Sequence, residues 1–587
     1  MLKDTNTWKY PHSWDARSVL RSHSFTRHAS RCANFFSTGQ SRNLCNQRNT
    51  RPGPCPHSLP RSGLNCGFLQ RVHHGHSPWV SEAVSEPAQG ITEEGNSSRF
   101  TDSSDATASL FWIFCQHGET MQTTSGQVPR LTIAGLSGDS GKTLISLGVL
   151  LLARQLGIPA KAFKKGPDYI DAAWLSWASG STARNLDTFL MGPEKVACLF
   201  SANALPGGLN LIEGNRGLFD GVDSRGTHST AELAKLLKTP ILLVVNAAKV
   251  THTVAAFVLG CMKLDPDVQI VGVILNHVAS CRHESVLRES VESACGIPVL
   301  GIVPNFESGT LLPSRHLGLV TPQEHEFIGV LRTNILSAVQ GRLDLNSILA
   351  VAQSAPALPA CFENARKPEN GHGLKIAFLR DSAFSFYYPE NLEALARSSA
   401  ELVPISALSS TILPENLDAL YIGGGFPETH AEVLSANSDL LASIHSHAQA
   451  GLPIYAECGG LMLLSQAIYW KGKRFPMAGV LPFEVEVCSG PQGHGYVELL
   501  ADLPNPYYPV GTQLRGHEFH YSRIMPTSHA VPTVCSVRRG TGSLYGRDGI
   551  LVKNVWASYT HLHAEATPEW VQGLVAAARR WSACRGQ

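Results

Sequence analysis

From about position 130 onward, apolar residues fall into short runs separated by turn-forming residues. Arg130-Leu-Thr-Ile-Ala134 has the span of a buried strand, and residues 143–154 are apolar enough for a helix packed upon it. Residues 209–213, 241–245, 270–275 and 299–303 repeat the strand pattern, with helical patterns such as 230–237 and 285–294 between them. That rhythm predicts a parallel, doubly wound sheet. Periodicity fades over 336–373, where Pro356, Pro359, Pro368, Gly371 and Gly373 collect, and this stretch reads as a connector holding one short helix. A second α/β pattern begins at Leu374-Lys-Ile-Ala-Phe-Leu379. No apolar run approaches the roughly 18 residues that cross a bilayer.

Before position 130 the picture is different. Residues 1–80 hold only Asp4 and Asp15 as acids, against a scatter of arginines, and show no hydrophobic period. His73, His74 and His76 lie near Cys66, but without a second CxxC or HxxxH they make a weak zinc pattern. Residues 1–128 are expected to be a low-order extension. Among a disordered arm, a targeting segment and sequence upstream of a start at Met121, the last is favoured.

Composition narrows the class. The 587 residues carry 48 Lys+Arg against 47 Asp+Glu and are 43% hydrophobic, which describes a soluble globular protein with no global attraction to nucleic acid or anionic membrane. The cysteines after residue 120 show no paired framework, which fits a reducing cytoplasm.

The first chemistry lies between strand and helix, in Gly135-Leu-Ser-Gly-Asp-Ser-Gly141-Lys142-Thr143. Glycines let backbone N–H groups converge on phosphates, and the helix N-terminus adds partial positive charge. Gly135, Gly138 and Gly141 would shape the loop, Lys142 would reach the β/γ-phosphates, and the Thr143 hydroxyl would ligate Mg²⁺. The loop is one residue longer than GxxxxGK[ST], because Gly135 stands six before Gly141. Lys164-Lys165-Gly-Pro-Asp168-Tyr-Ile-Asp171 follows, with two acids three apart, a pattern that also suits a solvated helix start. Glu213 closes an apolar strand at the end where open α/β sheets bind ligands, so it is a natural Mg²⁺ partner.

The second chemistry is Ala456-Glu-Cys458-Gly-Gly460, a nucleophile elbow between strand and helix. The helix N-terminus is expected to lower the Cys458 pKa. His561 could take the thiol proton and return it to departing ammonia. Backbone N–H groups of Gly459 and of the Gly423–Gly425 turn, Gly424 and Gly425 in particular, are oxyanion-hole candidates.

The segments Lys-Gly-Pro-Asp-Tyr-Ile-Asp (165–171), Ala-Arg-Asn-Leu-Asp (183–187), Ile-Glu-Gly-Asn-Arg-Gly-Leu-Phe-Asp-Gly (212–221) and Leu-Pro-Ser-Arg-His-Leu-Gly-Leu-Val (312–320) together resemble the cobyrinate a,c-diamide synthases of cobalamin biosynthesis. The resemblance spans about residues 130–568. It implies two doubly wound α/β domains: a dethiobiotin-synthetase-like P-loop domain over 129–335 and a class I glutamine amidotransferase domain over 374–568. A linker at 336–373 and a C-terminal helix or tail at 569–587 complete the organisation. The implied reaction is ATP-dependent amidation of the a and c carboxylates of cobyrinate, with glutamine or ammonia as donor and Mg²⁺ as cofactor. No nucleic-acid or membrane partner is implied, and a homodimer is left open.

The resemblance also assigns roles. Lys165 would steady the transferring phosphoryl group, Asp168 would share the metal with Glu213, and Asn276 would read adenine. Asp171 and Asp220 would organise metal or substrate carboxylate, and Arg184 and Arg216 would meet the acidic side chains of the corrinoid. Most class I domains carry a Glu two residues after the catalytic His. Here that position is His563, so a Cys458–His561 dyad is implied, with His563 the fallback base and Glu457 left without a role. His517, Glu518 and His520 are expected near the glutamine site as support rather than as metal ligands. The alternatives are the same reaction on hydrogenobyrinate or a nickel tetrapyrrole, a cobyric acid synthase, or a ParA/MinD-like ATPase switch. The switch group carries a second Lys early in its loop, which residues 135–140 lack.

Overall fold

The computed structural model describes residues 127–306, 314–315, 318–325, 327–358, 373–526 and 530–585. Residues 1–126, Met121 among them, and Leu312, Pro313, His316 and Leu317 of the 312–320 motif lie outside the described residues.

Leu-, Ile- and Val-rich runs form seven parallel strands: β1 (Arg130–Gly135), β2 (Ala160–Lys165), β3 (Arg184–Leu186), β4 (Leu209–Glu213), β5 (Ile241–Asn246), β6 (Ile270–Val278) and β7 (Val299–Pro304). Their order is β3-β2-β4-β1-β5-β6-β7. Helices cover both faces, so the strands read as continuous apolar runs rather than as alternating ones. Helix α1 (Lys142–Gln155) leaves the loop after β1, and α2 (Tyr169–Ser179) leaves the turn after β2, capped by the Asp168 carboxylate accepting from the Asp171 N–H. The expected connector contains a short helix, Leu345–Gln353, whose Ile348 and Ala352 join the core of this first sheet.

The second half builds a ten-stranded sheet: β8 (Lys375–Leu379), β9 (Glu401–Ile405), β10 (Ala419–Ile422), β11 (Ile454–Glu457), β12 (Gly493–Ala501), β13 (Gln513–His520), β14 (Thr533–Arg539), β15 (Arg547–Val552), β16 (Val555–Ser558) and β17 (His561–Leu562). In the order β9-β8-β10-β11-β16-β15-β14-β12-β13-β17, the first five strands are parallel and the rest extend the sheet antiparallel. This antiparallel wing is the part of the fold that sequence periodicity did not anticipate. Helix α3 (Pro389–Arg397) follows the first turn of this half, and α4 (Gly459–Leu464) follows β11. A final helix, α5 (Glu569–Arg585), buries Trp570, Leu574 and Ala578 against the sheet.

Among the described residues no helix is long and apolar enough to cross a membrane. Seven described cysteines are free, whereas Cys198 is disulfide-bonded, a departure from the unpaired set expected.

Candidate active sites

Strand β1 delivers the glycine loop to the carboxyl edge of the first sheet. Gly141 holds φ +92° there, a left-handed conformation that favours glycine, and a Cβ at this position would collide with the Asn276 amide nitrogen. Lys142 folds back over the loop, its Nζ donating to the Ser137 (2.8 Å) and Gly138 (3.0 Å) carbonyls. Burial, reinforced by Lys164, lowers its pKa to about 8. Asn276 donates to the Ser140 carbonyl at 3.0 Å and is 2% exposed, so it braces the loop from below. Its register partner Asn246 is exposed instead, and with Leu136, Ser137, Ser140, Ala248 and Phe257 it lines a cavity of about 510 Å³ beside the loop.

Beneath the start of α1 lies a cluster of charge. Glu213 is fully buried; its Oε1 accepts from the Thr143 hydroxyl (3.0 Å) and from Lys164 Nζ (2.8 Å), and Lys164 also reaches Asp171 Oδ2 at 2.6 Å. Burial would depress the Lys164 pKa, but Asp171 and Glu213 more than offset it and the pKa rises. Burial raises the pKa of Glu213 even with Lys164 opposing it. Asp168, half-buried beside the Asp171 carboxylate, is pushed up to about 7, with desolvation the main cause.

Lys164 was not among the residues singled out from sequence. Alternation along β2 puts it in register with Glu213, while Lys165 faces the opposite way, toward Asp187 and Arg216. Asp220 closes the turn after β4 by accepting from the Gly217 N–H at 2.8 Å.

The hard-oxygen set fits Mg²⁺. Glu213 Oε2 is buried without a hydrogen-bond partner, although the Ser146 hydroxyl lies close enough to influence the carboxylate. Among the described residues no group of three or more His, Cys, Asp or Glu side chains could hold a metal alone. Mg²⁺ ordinarily takes one or two protein oxygens and completes its shell with phosphate and water, so Thr143 and Glu213 suffice.

In the second half, Cys458 sits at the elbow with φ +49°, a strained value for a residue with a Cβ. Its N–H donates to the Ser558 carbonyl at 2.7 Å, tying the elbow to the strand that leads to His561. Gly459 touches the Gly424–Gly425 turn, and a Cβ on Gly424 would lie 2.5 Å from His561 Cε1. Nucleophile, imidazole and both candidate oxyanion turns therefore meet in one place. Burial and the Glu428 carboxylate push the Cys458 thiol up, with only the Gly459 N–H pulling it down, so the expected lowering by the helix terminus is overridden. In the unliganded protein Cys458, 6% exposed, is expected to react with iodoacetamide near neutral pH at least about tenfold more slowly than exposed Cys281 and Cys584. Peptide mass spectrometry reads this directly, and equal rates would contradict the buried, protonated thiol.

Around this pair, His517 stacks on His561 with centroids 4.9 Å apart, and burial together with His561 holds its pKa far below the ordinary imidazole range. Glu518 accepts from the Thr541 and Gly542 N–H groups, and His520 stacks on Tyr559 at 3.7 Å. His561 Nδ1 lies 3.5 Å from Glu457.

The two sites share a boundary. Tyr169, between Asp168 and Asp171, places its ring against Phe386 (5.1 Å), Tyr388 (4.5 Å), His517 (5.6 Å) and His561 (5.4 Å). Arg184 does not open toward a substrate cleft as expected: it is 9% exposed and pairs with Glu393 (2.7 Å) and Glu390 (3.4 Å) of α3. Tyr496 donates to Asp187 at 2.6 Å and stacks on Phe189 at 4.2 Å. Arg216 stays exposed, 3.2 Å from His494.

A phosphate loop and a cysteine elbow on abutting α/β sheets define a glutamine-dependent, ATP-using amidating enzyme. Residues 131–320 match the CobQ/CobB/MinD/ParA nucleotide binding domain, and residues 375–569 match the CobB/CobQ-like glutamine amidotransferase domain. Proteins named cobyrinate a,c-diamide synthase are similar over most of their length: one from Magnetococcus marinus is 42% identical over 78% of this chain and 97% of its own, and one from Archaeoglobus fulgidus is 40% identical over 74% and 94%. A third, from Syntrophotalea carbinolica, is 38% identical over 78% and 99%. The chain belongs to the cobyrinate a,c-diamide synthase family.

Proposed function

We propose that this chain converts the a and c carboxylates of cobyrinate to amides, using ATP and glutamine, in cobalamin biosynthesis. The observation that carries the reading is the junction at Tyr169, whose neighbours Asp168 and Asp171 belong to the loop-side charge cluster while its ring rests on His561. A carboxylate does not react with ammonia near neutral pH, because oxide is too poor a leaving group. ATP converts it to an acyl phosphate, releasing ADP. Ammonia then attacks the acyl carbon and phosphate departs.

Each domain has its part. Lys142 and the Gly135–Gly141 loop would hold the triphosphate, and Lys164 would hold the Glu213 and Asp171 carboxylates in place. Mg²⁺, held by Thr143, Glu213 and phosphate oxygens, would neutralise charge on the β- and γ-phosphates. Cys458 would attack the glutamine carboxamide, passing its proton to His561 and then to the leaving ammonia, with water releasing glutamate from the thioester. Phe386, Phe426 and Tyr169 form an apolar cluster between the sites, suited to carrying unprotonated ammonia. With Arg184 paired, Arg216 is the arginine left to meet corrinoid carboxylates. A cytoplasmic location goes with this reading, as the compartment of ATP and glutamine.

The test supplies cobyrinate, ATP, Mg²⁺ and glutamine to the purified chain and follows products by mass spectrometry. Two successive amidations are expected. No diamide with either glutamine or ammonium would overturn the choice of substrate and turn attention to hydrogenobyrinate and nickel tetrapyrroles.

A further inference from the structure

Assigning Cys458 and His561 as the glutaminase pair leaves unexplained what orients the imidazole. The residue two after His561 is His563, and it turns elsewhere: its Nε2 lies 3.4 Å from Glu390 and its ring 4.5 Å from Tyr388. The carboxylate that faces His561 belongs to the residue before the nucleophile. Glu457 Oε2 is 3.5 Å from His561 Nδ1, and both side chains are at most 3% exposed. His561 Nδ1 is buried with no hydrogen-bond partner, and a small closure toward Glu457 would give it one.

Glu457 is itself held. The Tyr421 hydroxyl donates to its Oε2 (3.2 Å) and the Leu562 N–H to its Oε1 (3.4 Å). Asn391 donates to Tyr421 and to the Leu562 carbonyl, and accepts from the Ala564 N–H at 2.7 Å, so one side chain fixes both the carboxylate's support and the His561 segment. Strands β11 and β16 are parallel neighbours with Glu457 opposite Ser558, which brings the end of one strand against the segment leaving the other.

We infer that Glu457 is the positioning residue of the glutaminase site, replacing the carboxylate that related domains place after the histidine. It holds His561 with Nδ1 protonated and leaves Nε2, on the Gly424 side, as the acceptor. When Sγ bonds to the carboxamide carbon, the thiol proton moves to Nε2, and Glu457 stabilises the resulting imidazolium. As the C–N bond breaks, that proton leaves with ammonia. The inference rests on the function proposed above and adds a residue to it.

The test compares wild type, Glu457→Gln and Glu457→Asp with glutamine and with ammonium as donor. Glu457→Gln is expected to lower the glutamine-dependent kcat by about 10²–10⁴-fold, with KM for glutamine and the ammonium-dependent rate within about threefold of wild type. Glu457→Asp is expected to recover at least about tenfold of that loss, since the carboxylate returns on a shorter arm. A glutamine-dependent kcat within about threefold of wild type in Glu457→Gln would overturn the assignment. So would parallel loss with both donors in both variants, which would make Glu457 a support of the fold. Failure of the functional reading would look different, because wild type itself would then form no diamide.

Discussion

Cys458→Ala is expected to lose glutamine-dependent amidation by at least about 10³-fold while ammonium-dependent amidation stays within about threefold of wild type. The asymmetry follows from where the residue sits. Cys458 occupies the end of β11 in the second sheet, and Gly459 and Gly424 crowd around it. Nothing in the loop-side cluster of Lys142, Thr143, Lys164 and Glu213 depends on its sulfur. Free ammonia would still reach an acyl phosphate made at the first site. Alanine also relieves no packing constraint, because the elbow's strain lies in a backbone φ of +49° that both residues must adopt. Equal loss with both donors would place Cys458 in the amidation step itself; unchanged glutamine use would remove it from the chemistry.

Both parallel sheets were legible because their strands are buried on two faces and read as unbroken apolar runs. The antiparallel wing, β12 to β15 with β17, was not. Strands such as Gly493–Ala501 and Gln513–His520 mix glycine, histidine and charge, since one face packs on the core while the other borders the first domain and the glutamine site.

Site residues divide in the same way. Gly141, Lys142, Thr143 and Cys458 were found because a short local sequence dictates a local backbone shape. Lys164 was passed over for Lys165, although alternation along a six-residue strand and the position of Glu213 on its neighbour decide between them. Arg184 could not be placed from sequence, because its partners Glu390 and Glu393 lie some two hundred residues away. Glu457 was in plain view inside the elbow motif, yet its pairing with His561 depends on how two non-consecutive strands lie side by side. Tyr169 carried one usable signal: an aromatic residue between two acids at the start of a helix, which a solvated helix end would not need.

Lys164→Met is expected to be as damaging to the first site as Cys458→Ala is to the second, and to be independent of nitrogen donor. Its ammonium is the buried cation that binds Asp171 and Glu213, and Glu213 in turn accepts from the Thr143 hydroxyl. Removing one partner of a buried ion pair costs about 3–5 kcal/mol, because the remaining charges stay desolvated. Amidation with glutamine or with ammonium should fall by at least about 10²-fold.

The stability loss carries a sign that separates this cause from simple loss of packing. Asp168 already stands at about 7 and Glu213 is raised; without Lys164 both rise further in the folded state. An acid whose folded pKa exceeds its unfolded value binds more protons when folded, so stability falls as pH rises from about 4 through the folded pKa. The melting temperature of Lys164→Met should therefore lie furthest below that of wild type near pH 8, and the gap should narrow on acidification toward about pH 5. A gap that is the same at both pH values would mean that Lys164 contributes its methylene stem and not its charge.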